Sequence, residues 1–102
     1  MSNCVFCKIL NGEIPSKIIY QDEYCFAIND INPKAKKHIL VMPKEHIESL
    51  NEVEDYSIIA HMFEVIKKIN AQENINHFKT HINTGSSAGQ EVMHLHIHIL
   101  AN

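Results

Sequence analysis

The 102-residue chain is poor in glycine and proline, with three of each, which excludes collagen-like and linker-dominated chains. It has no excess of positive charge: nine Lys and Arg against twelve Asp and Glu leave a formal charge of −3. A general nucleic-acid binder would show the opposite balance, concentrated on one face. Long apolar runs are also missing. The longest, Tyr24 to Ile28, has five residues, far short of a membrane span. The opening Met-Ser-Asn-Cys-Val-Phe-Cys lacks the charged region and apolar stretch of a signal peptide, so a cytoplasmic protein is expected. What remains is ordinary globular composition, 45% hydrophobic and 21% charged, at a length that suits a single domain over residues 1–102.

Two residue types are abundant for this size or patterned. Three of eight histidines fall within five residues, and two of three cysteines form a C-x-x-C pair. In a reducing compartment such a pair suggests metal or redox chemistry before a structural disulfide.

Residues Phe6–Asn11 read as a short helix ended by Gly12. Ile18–Gln21 and Tyr24–Ile28 read as a hairpin turning at Asp22-Glu23, and His38–Met42 as a third strand closed by Pro43. A long helix is expected from Glu52 to Ala71, with Asn51 and Glu54 as a capping box. Its core face would carry Tyr56, Ile59, Met62, Phe63, Ile66 and Ile69. Phe78–Asn83 and Val92–Leu100 would be the last strands, separated by the loop Thr84–Gln90. Strands, one long helix, then strands with short links predict an α+β fold on a mainly antiparallel five-stranded sheet, with one long and one short helix.

The segment His94-Leu95-His96-Ile97-His98-Ile99-Leu100 alternates strictly. On a strand this sends Leu95, Ile97 and Ile99 to the core and the histidines to the other face, about 7 Å apart. A phosphate could then touch two neighbouring rings. Two other readings stand beside nucleophilic or phosphate-binding work: exposed strand histidines, and a three-histidine metal site. Cys4 and Cys7 are spaced like half a zinc site, or are a pair of inert thiols.

With its H-φ-H-φ-H-φ-φ run (φ apolar), the chain resembles the histidine triad (HIT) family, most of all its Hint-like branch of purine nucleoside phosphoramidases. The resemblance extends over the N-terminal Cys4–Ile18, then Asp30–Pro33, His38–His46 and Asn83–Leu100. It implies a HIT-like fold and hydrolysis of adenosine-5′-monophosphate–amine conjugates. His96 would attack the α-phosphorus and form a nucleotidyl-histidine that water then releases. His98 would hold phosphate oxygens, and the His94 carbonyl would orient the nucleophile's other ring nitrogen. Asn83, with Gly89, Gln90 and the backbone to Glu91, would complete the phosphate cradle. Asp30 would accept the ribose hydroxyls. Phe6, Ile9, Ile28, Ile31 and Leu40 would form the slot for the base.

Two departures from the family pattern bear on the leaving group. Glu91 stands where many relatives have Ser, and, protonated, it could serve as the acid for the departing amine. The sequence stops at Leu100-Ala101-Asn102, without the Gly-Gly-Arg and tail common in the branch. The resemblance further implies a structural zinc held by Cys4, Cys7, His46 and His94, a supporting role for His38, and a homodimer. His61, His77 and His81 are read as structural or solvent-facing, and Cys25 as a buried thiol. Alternatives within the superfamily are a dinucleoside polyphosphate hydrolase or nucleotidyl transferase. Outside it stand a nucleotide-binding adaptor with little catalysis and a three-histidine metalloenzyme.

Overall fold

The computed structural model describes residues 3–102. A short helix, α1 (Val5–Leu10), leads into β1 (Ile18–Gln21), β2 (Cys25–Asn29) and β3 (Lys37–Pro43). A 3₁₀ turn at Leu50–Glu52 precedes the long helix α2 (Ser57–Glu73). Then come β4 (Lys79–His81), a second 3₁₀ turn at Ser86–Ala88, and β5 (Ile97–Ala101). The five strands form one sheet in the order β1-β2-β3-β5-β4, and every pairing is antiparallel. The expected α+β class, with one long and one short helix on a five-stranded antiparallel sheet, is the observed fold.

Alternation along the strands sorts their side chains between two layers. Cys25, Ala27, Ile39, Val41, Ile97 and Ile99 point towards α2 and pack on Met62, Val65, Ile66 and Ile69. Their neighbours Phe26, Ile28, Leu40 and Met42 point the other way and pack under Phe6 and Ile9 of α1. The six-residue α1 is too short to persist alone. Its Phe6 and Ile9 are buried, and the Cys4 sulfur accepts the Cys7 N–H at 3.5 Å at its start. Asn11 caps its end, and Gly12 follows with φ +80°.

Several sequence expectations shift. The long helix begins at Ser57, not Glu52, and the Asn51–Glu54 capping box does not form. Ser49 instead caps the 3₁₀ turn through Asn51 N–H at 3.2 Å, and the buried Val53 breaks the helix before it can start. The buried stripe of α2 is rotated accordingly. Val65 is fully buried, whereas Tyr56 and Phe63 are 68% and 46% exposed. The last ladder begins at Ile97 rather than Val92. Among the described residues no helix is long and apolar enough to cross a membrane.

Candidate active site and metal-binding cluster

Register brings the site together. His98 on β5 lies opposite Leu40 on β3 and His81 on β4, while Leu40 lies opposite Ile28 on β2. One row of side chains therefore crosses the α1-bearing face of the sheet as Ile28, Leu40, His98, His81. His94 and His96 precede the ladder, because their stretch of backbone bonds elsewhere. The His94 N–H donates to the Val92 carbonyl at 2.8 Å, and the Leu95 N–H to the Ile47 carbonyl at 2.7 Å. Leu95, Ile97 and Ile99 are still buried in the α2 core, as alternation required. The histidines are not surface rings: His94 is 0% and His96 6% exposed.

Each triad ring has one nitrogen fixed by a partner. A carbonyl can only accept, so His96 Nδ1 donates to the His94 carbonyl at 2.7 Å, leaving the Nε2 lone pair of a neutral ring available. His94 Nε2 donates to the Pro43 carbonyl at 2.8 Å, leaving Nδ1 as a lone pair. For His98 the tautomer follows from a relay. The Lys34 N–H donates to His38 Nδ1 at 3.0 Å, so a neutral His38 carries its proton on Nε2. That proton faces His98 Nδ1 at 2.9 Å, with Asp30 Oδ2 more distant at 3.4 Å. His98 therefore presents an Nε2–H donor.

Burial keeps these rings neutral. It lowers the His96 pKa against the opposing effect of the His94 carbonyl. Burial, and then the neighbouring His96, His81 and His38, bring His98 down to about 4. Burial also lowers His38. A neutral imidazole with a free Nε2 lone pair is competent for nucleophilic attack, and a neutral Nε2–H donor beside it can hold an oxyanion.

His94 turns the other way, into a cluster with Cys4, Cys7 and His46 whose donor atoms all lie within 4.8 Å of one another. Its Nδ1 is 3.3 Å from the Cys4 sulfur and 3.7 Å from that of Cys7, while His46 Nδ1 is 3.5 Å from Cys7. A tetrahedral zinc with its usual bond lengths has sulfur–nitrogen edges of about 3.6 Å, so the donor set fits this ion. The Pro43 carbonyl on the far side of His94 is the outer partner that metal-bound imidazoles commonly have. Burial, reinforced by Cys4, raises the Cys7 thiol pKa. These residues could hold a metal ion, and a closed set of four leaves no position open for catalysis.

A metal shared by the triad histidines does not fit. Among the described residues, no group close enough to hold an ion contains His94, His96 and His98 together. Asp30, His38 and His98 lie close enough, but the Lys34 N–H forces a proton onto the His38 nitrogen that would have to bind the ion.

The remaining sequence candidates separate into those gathered at the site and those held elsewhere. Phe6, Ile9, Ile28 and Leu40 pack in one layer, and the Phe6 ring lies edge-on to His96 at 5.1 Å and to His94 at 5.7 Å. Ile31 is 88% exposed and is not part of that buried layer. Asp30 Oδ1 accepts the Asn32 N–H at 2.9 Å, which makes the turn and leaves Oδ2 towards His38. Asn83 donates to the Ala88 carbonyl at 2.9 Å, across the loop from Gly89 at φ +96°. Gln90 is buried and its amide is fully engaged. It accepts from the Gly85 N–H at 2.8 Å and donates to the Glu48 and Val92 carbonyls, so it braces the loop. Glu91 is exposed and lines a cleft of about 420 Å³ with Cys4, His46, Glu48 and Met93, on the side of the cysteine cluster.

Two more histidines contact His98. His38, implied as a supporting residue, bonds to His98 and not to His96. His81, read as structural or solvent-facing, stacks on His98 with ring centres 4.2 Å apart and planes at 19°. Only the β4–β5 register reveals this contact. His61 is structural, bonding Asp22 at 2.8 Å.

Known proteins share this sequence pattern and fold. Residues 11–102 match the family described as the HIT domain. Protein HitA of Neisseria gonorrhoeae is 43% identical over 103 residues, covering 98% of this chain and 96% of that protein. The structure of a HIT family hydrolase from Clostridium thermocellum aligns with a TM-score of 0.96 at 40% identity, over 100% of this chain and 92% of that one. A histidine triad nucleotide-binding protein from Candida albicans aligns with a TM-score of 0.85 at 31% identity, over 95% and 73%. With the family's domain spanning all but the first ten residues and the fold shared across these proteins, the chain belongs to the HIT family.

Proposed function

We propose that this protein is a nucleotide-binding hydrolase that cleaves purine nucleoside 5′-phosphoramidates through a nucleotidyl-His96 intermediate. The observation that carries the reading is the 2.7 Å bond from His96 Nδ1 to the His94 carbonyl, which aims a neutral Nε2 lone pair into the site. His96 Nε2 attacks the α-phosphorus, the phosphorus–nitrogen bond breaks, and the amine leaves with a proton from a nearby acid, for which Glu91 is the sequence candidate. Water then attacks the phosphorus–imidazole bond and releases the nucleoside monophosphate. Splitting one displacement into two suits imidazole, which is a good nucleophile when neutral and a good leaving group when protonated.

His98 Nε2–H stabilises charge on the phosphate oxygens, as fixed donors aimed at developing charge do. Asp30 accepts the ribose hydroxyls; Asn83, Gly89 and the backbone at Gln90 complete the phosphate cradle. The base lies over Phe6, Ile9, Ile28 and Leu40, with Ile31 at its outer rim. Zinc held by Cys4, Cys7, His46 and His94 would be structural and would tie α1 to the triad segment. Relatives described as a HIT family hydrolase and a histidine triad nucleotide-binding protein support the reaction class and ligand.

A homodimer fits the opposite face. Among the described residues one edge of β4 carries no partner strand, and Phe63 and Phe78 are each 46% exposed. Nearby, the Asn70 Oδ1 is buried without a hydrogen-bond partner.

The test is hydrolysis of an adenosine–tryptamine phosphoramidate by wild type and His96→Ala, with mass analysis of quenched protein. Turnover by wild type alone, with a transient adenylyl adduct on His96, is expected. Binding of AMP with neither turnover nor adduct would refute the hydrolase reading and favour an adaptor. Faster cleavage of a dinucleoside polyphosphate than of the phosphoramidate would instead move the substrate to that class.

A further inference from the structure

The cysteine–histidine cluster is closed on some sides and open on another. His94 is fully buried and Cys7 nearly so, whereas Cys4 and His46 are only half-buried. Towards the triad, the buried Phe6 ring stands edge-on to His94 at 5.7 Å and shuts that side. The Pro43 carbonyl takes the His94 Nε2–H on another. Cys4 and His46 together line the cleft of about 420 Å³, so two of the four donor residues are reached from it. A larger cleft of about 1140 Å³ reaches His46 but neither cysteine.

Glu48 and Glu91 line the smaller cleft as well. They are far apart in the chain, and one buried amide brings their backbones together. Gln90 Nε2 donates to the Glu48 carbonyl at 2.8 Å and to the Val92 carbonyl at 3.0 Å. The Leu95 N–H, bonded to the Ile47 carbonyl at 2.7 Å, ties the same two segments a second time. Both glutamates are exposed, and neither forms an ion pair among the described residues. No lysine lines the cleft to offset their charge. An acidic rim alone is ordinary solvated surface. Here it stands at the mouth of four donors that suit a divalent cation.

Resting on the proposed zinc site, we infer that this cleft is the entry route of the metal, where Glu48 and Glu91 capture the hydrated cation before Cys4 and His46 take it over. Carboxylate oxygens suit a hydrated ion, whereas thiolate and imidazole are the preferred ligands of zinc, so transfer runs inward. Cys4 and Cys7 bind as thiolates, and their two protons pass to water as the ion enters. Steering by charges at a rim acts on the association rate and fades with salt. A divalent cation about 7 Å from one carboxylate, in water at 0.1 M salt, is enriched about threefold, so two carboxylates give about tenfold. At 1 M salt the same attraction is almost fully screened.

The test follows cobalt uptake by reduced, chelator-stripped protein in a stopped-flow instrument, at a temperature where the stripped protein is folded. The signal is the visible absorbance of the thiolate-bound ion. Glu48→Gln with Glu91→Gln should slow uptake about tenfold at 0.1 M salt, and the gap should close at 1 M. The final spectrum should match wild type, because the four donors are untouched. Glu52→Gln with Glu54→Gln removes the same charge from the larger cleft and should slow uptake less than about twofold. Turnover plays no part in the readout, so it is independent of the acid assigned to the departing amine.

The outcomes separate the route from the site. A wild-type cobalt spectrum with uptake unchanged in the first pair, or slowed equally in the second, overturns the entry route and leaves the zinc site standing. A wild type that shows no thiolate spectrum overturns site and route together.

Discussion

Adding and removing zinc should change the stability of this protein by an amount comparable to a core truncation, because the Cys4, Cys7, His46, His94 cluster fits the ion. The sulfur–nitrogen separations of 3.3, 3.5 and 3.7 Å already bracket the edge of a tetrahedral zinc site, so little rearrangement opposes binding. A ligand bound only by the folded state stabilises it by about 2.7 kcal/mol when its free concentration is 100-fold above Kd. For a domain of this size each kcal/mol moves Tm by about 4–8 °C, giving a rise of about 10–20 °C. The assay is thermal unfolding with zinc buffered at known free concentration, against a strong chelator. Cys7→Ala should abolish the zinc-dependent shift, while His96→Ala should keep it. Cobalt in place of zinc should give the visible spectrum of a tetrahedral thiolate site, lost in Cys7→Ala. A Tm indifferent to zinc and chelator, or a zinc shift that survives Cys7→Ala, would refute the assignment.

Two further outcomes follow from local geometry. Burial alone would raise the Asp22 carboxyl, but the Cys25 and Tyr24 N–H groups, then His61 and Tyr20, hold it at about 2. A depressed folded pKa stabilises the protein above the unfolded value and loses that contribution as pH falls through 2; Asp22→Asn should therefore cost about 2 kcal/mol at pH 7, with the gap in Tm from wild type narrowing below about pH 4. At Gly89, with φ +96°, an added Cβ would sit 3.2 Å from the Asn83 amide nitrogen, whereas at Gly12, φ +80°, it would meet nothing within 4 Å. Both Gly→Ala changes should lower stability by about 1–2 kcal/mol through backbone strain, but only Gly89→Ala should also weaken AMP binding; equal binding by the two variants would place the loop outside the phosphate cradle.

The sequence revealed what depends on local period and left hidden what depends on register. Alternation at Leu95, Ile97 and Ile99 located the last strand's core face; spacing singled out Cys4 and Cys7, and resemblance alone paired them with His46 and His94. The helix start was misread because the Asn51–Glu54 pattern is locally persuasive, while the competing cap at Ser49 and the burial of Val53 depend on tertiary packing. The face of α2 was misread for the same reason: Phe63 is as apolar as Val65, and only the position of the sheet decides which is covered. His38 and His81 converge on His98 from β3 and β4, 60 and 17 residues away in the chain. Such contacts have no signature in a linear pattern. Resemblance could name His38, but no signal in this chain singled out His81.

His94 serves two centres with different atoms: its ring faces the cysteines, and its carbonyl holds the His96 ring. The His96 ring is thus anchored by the residue whose own ring touches a pair of oxidisable thiols. Oxidation of Cys4 and Cys7 would break the contact of the His94 ring with the thiols, while the Pro43 carbonyl still holds its Nε2 and the Val92 carbonyl its backbone N–H. A change at the thiols therefore reaches the His96 ring through one backbone carbonyl, the single bond that the two centres share.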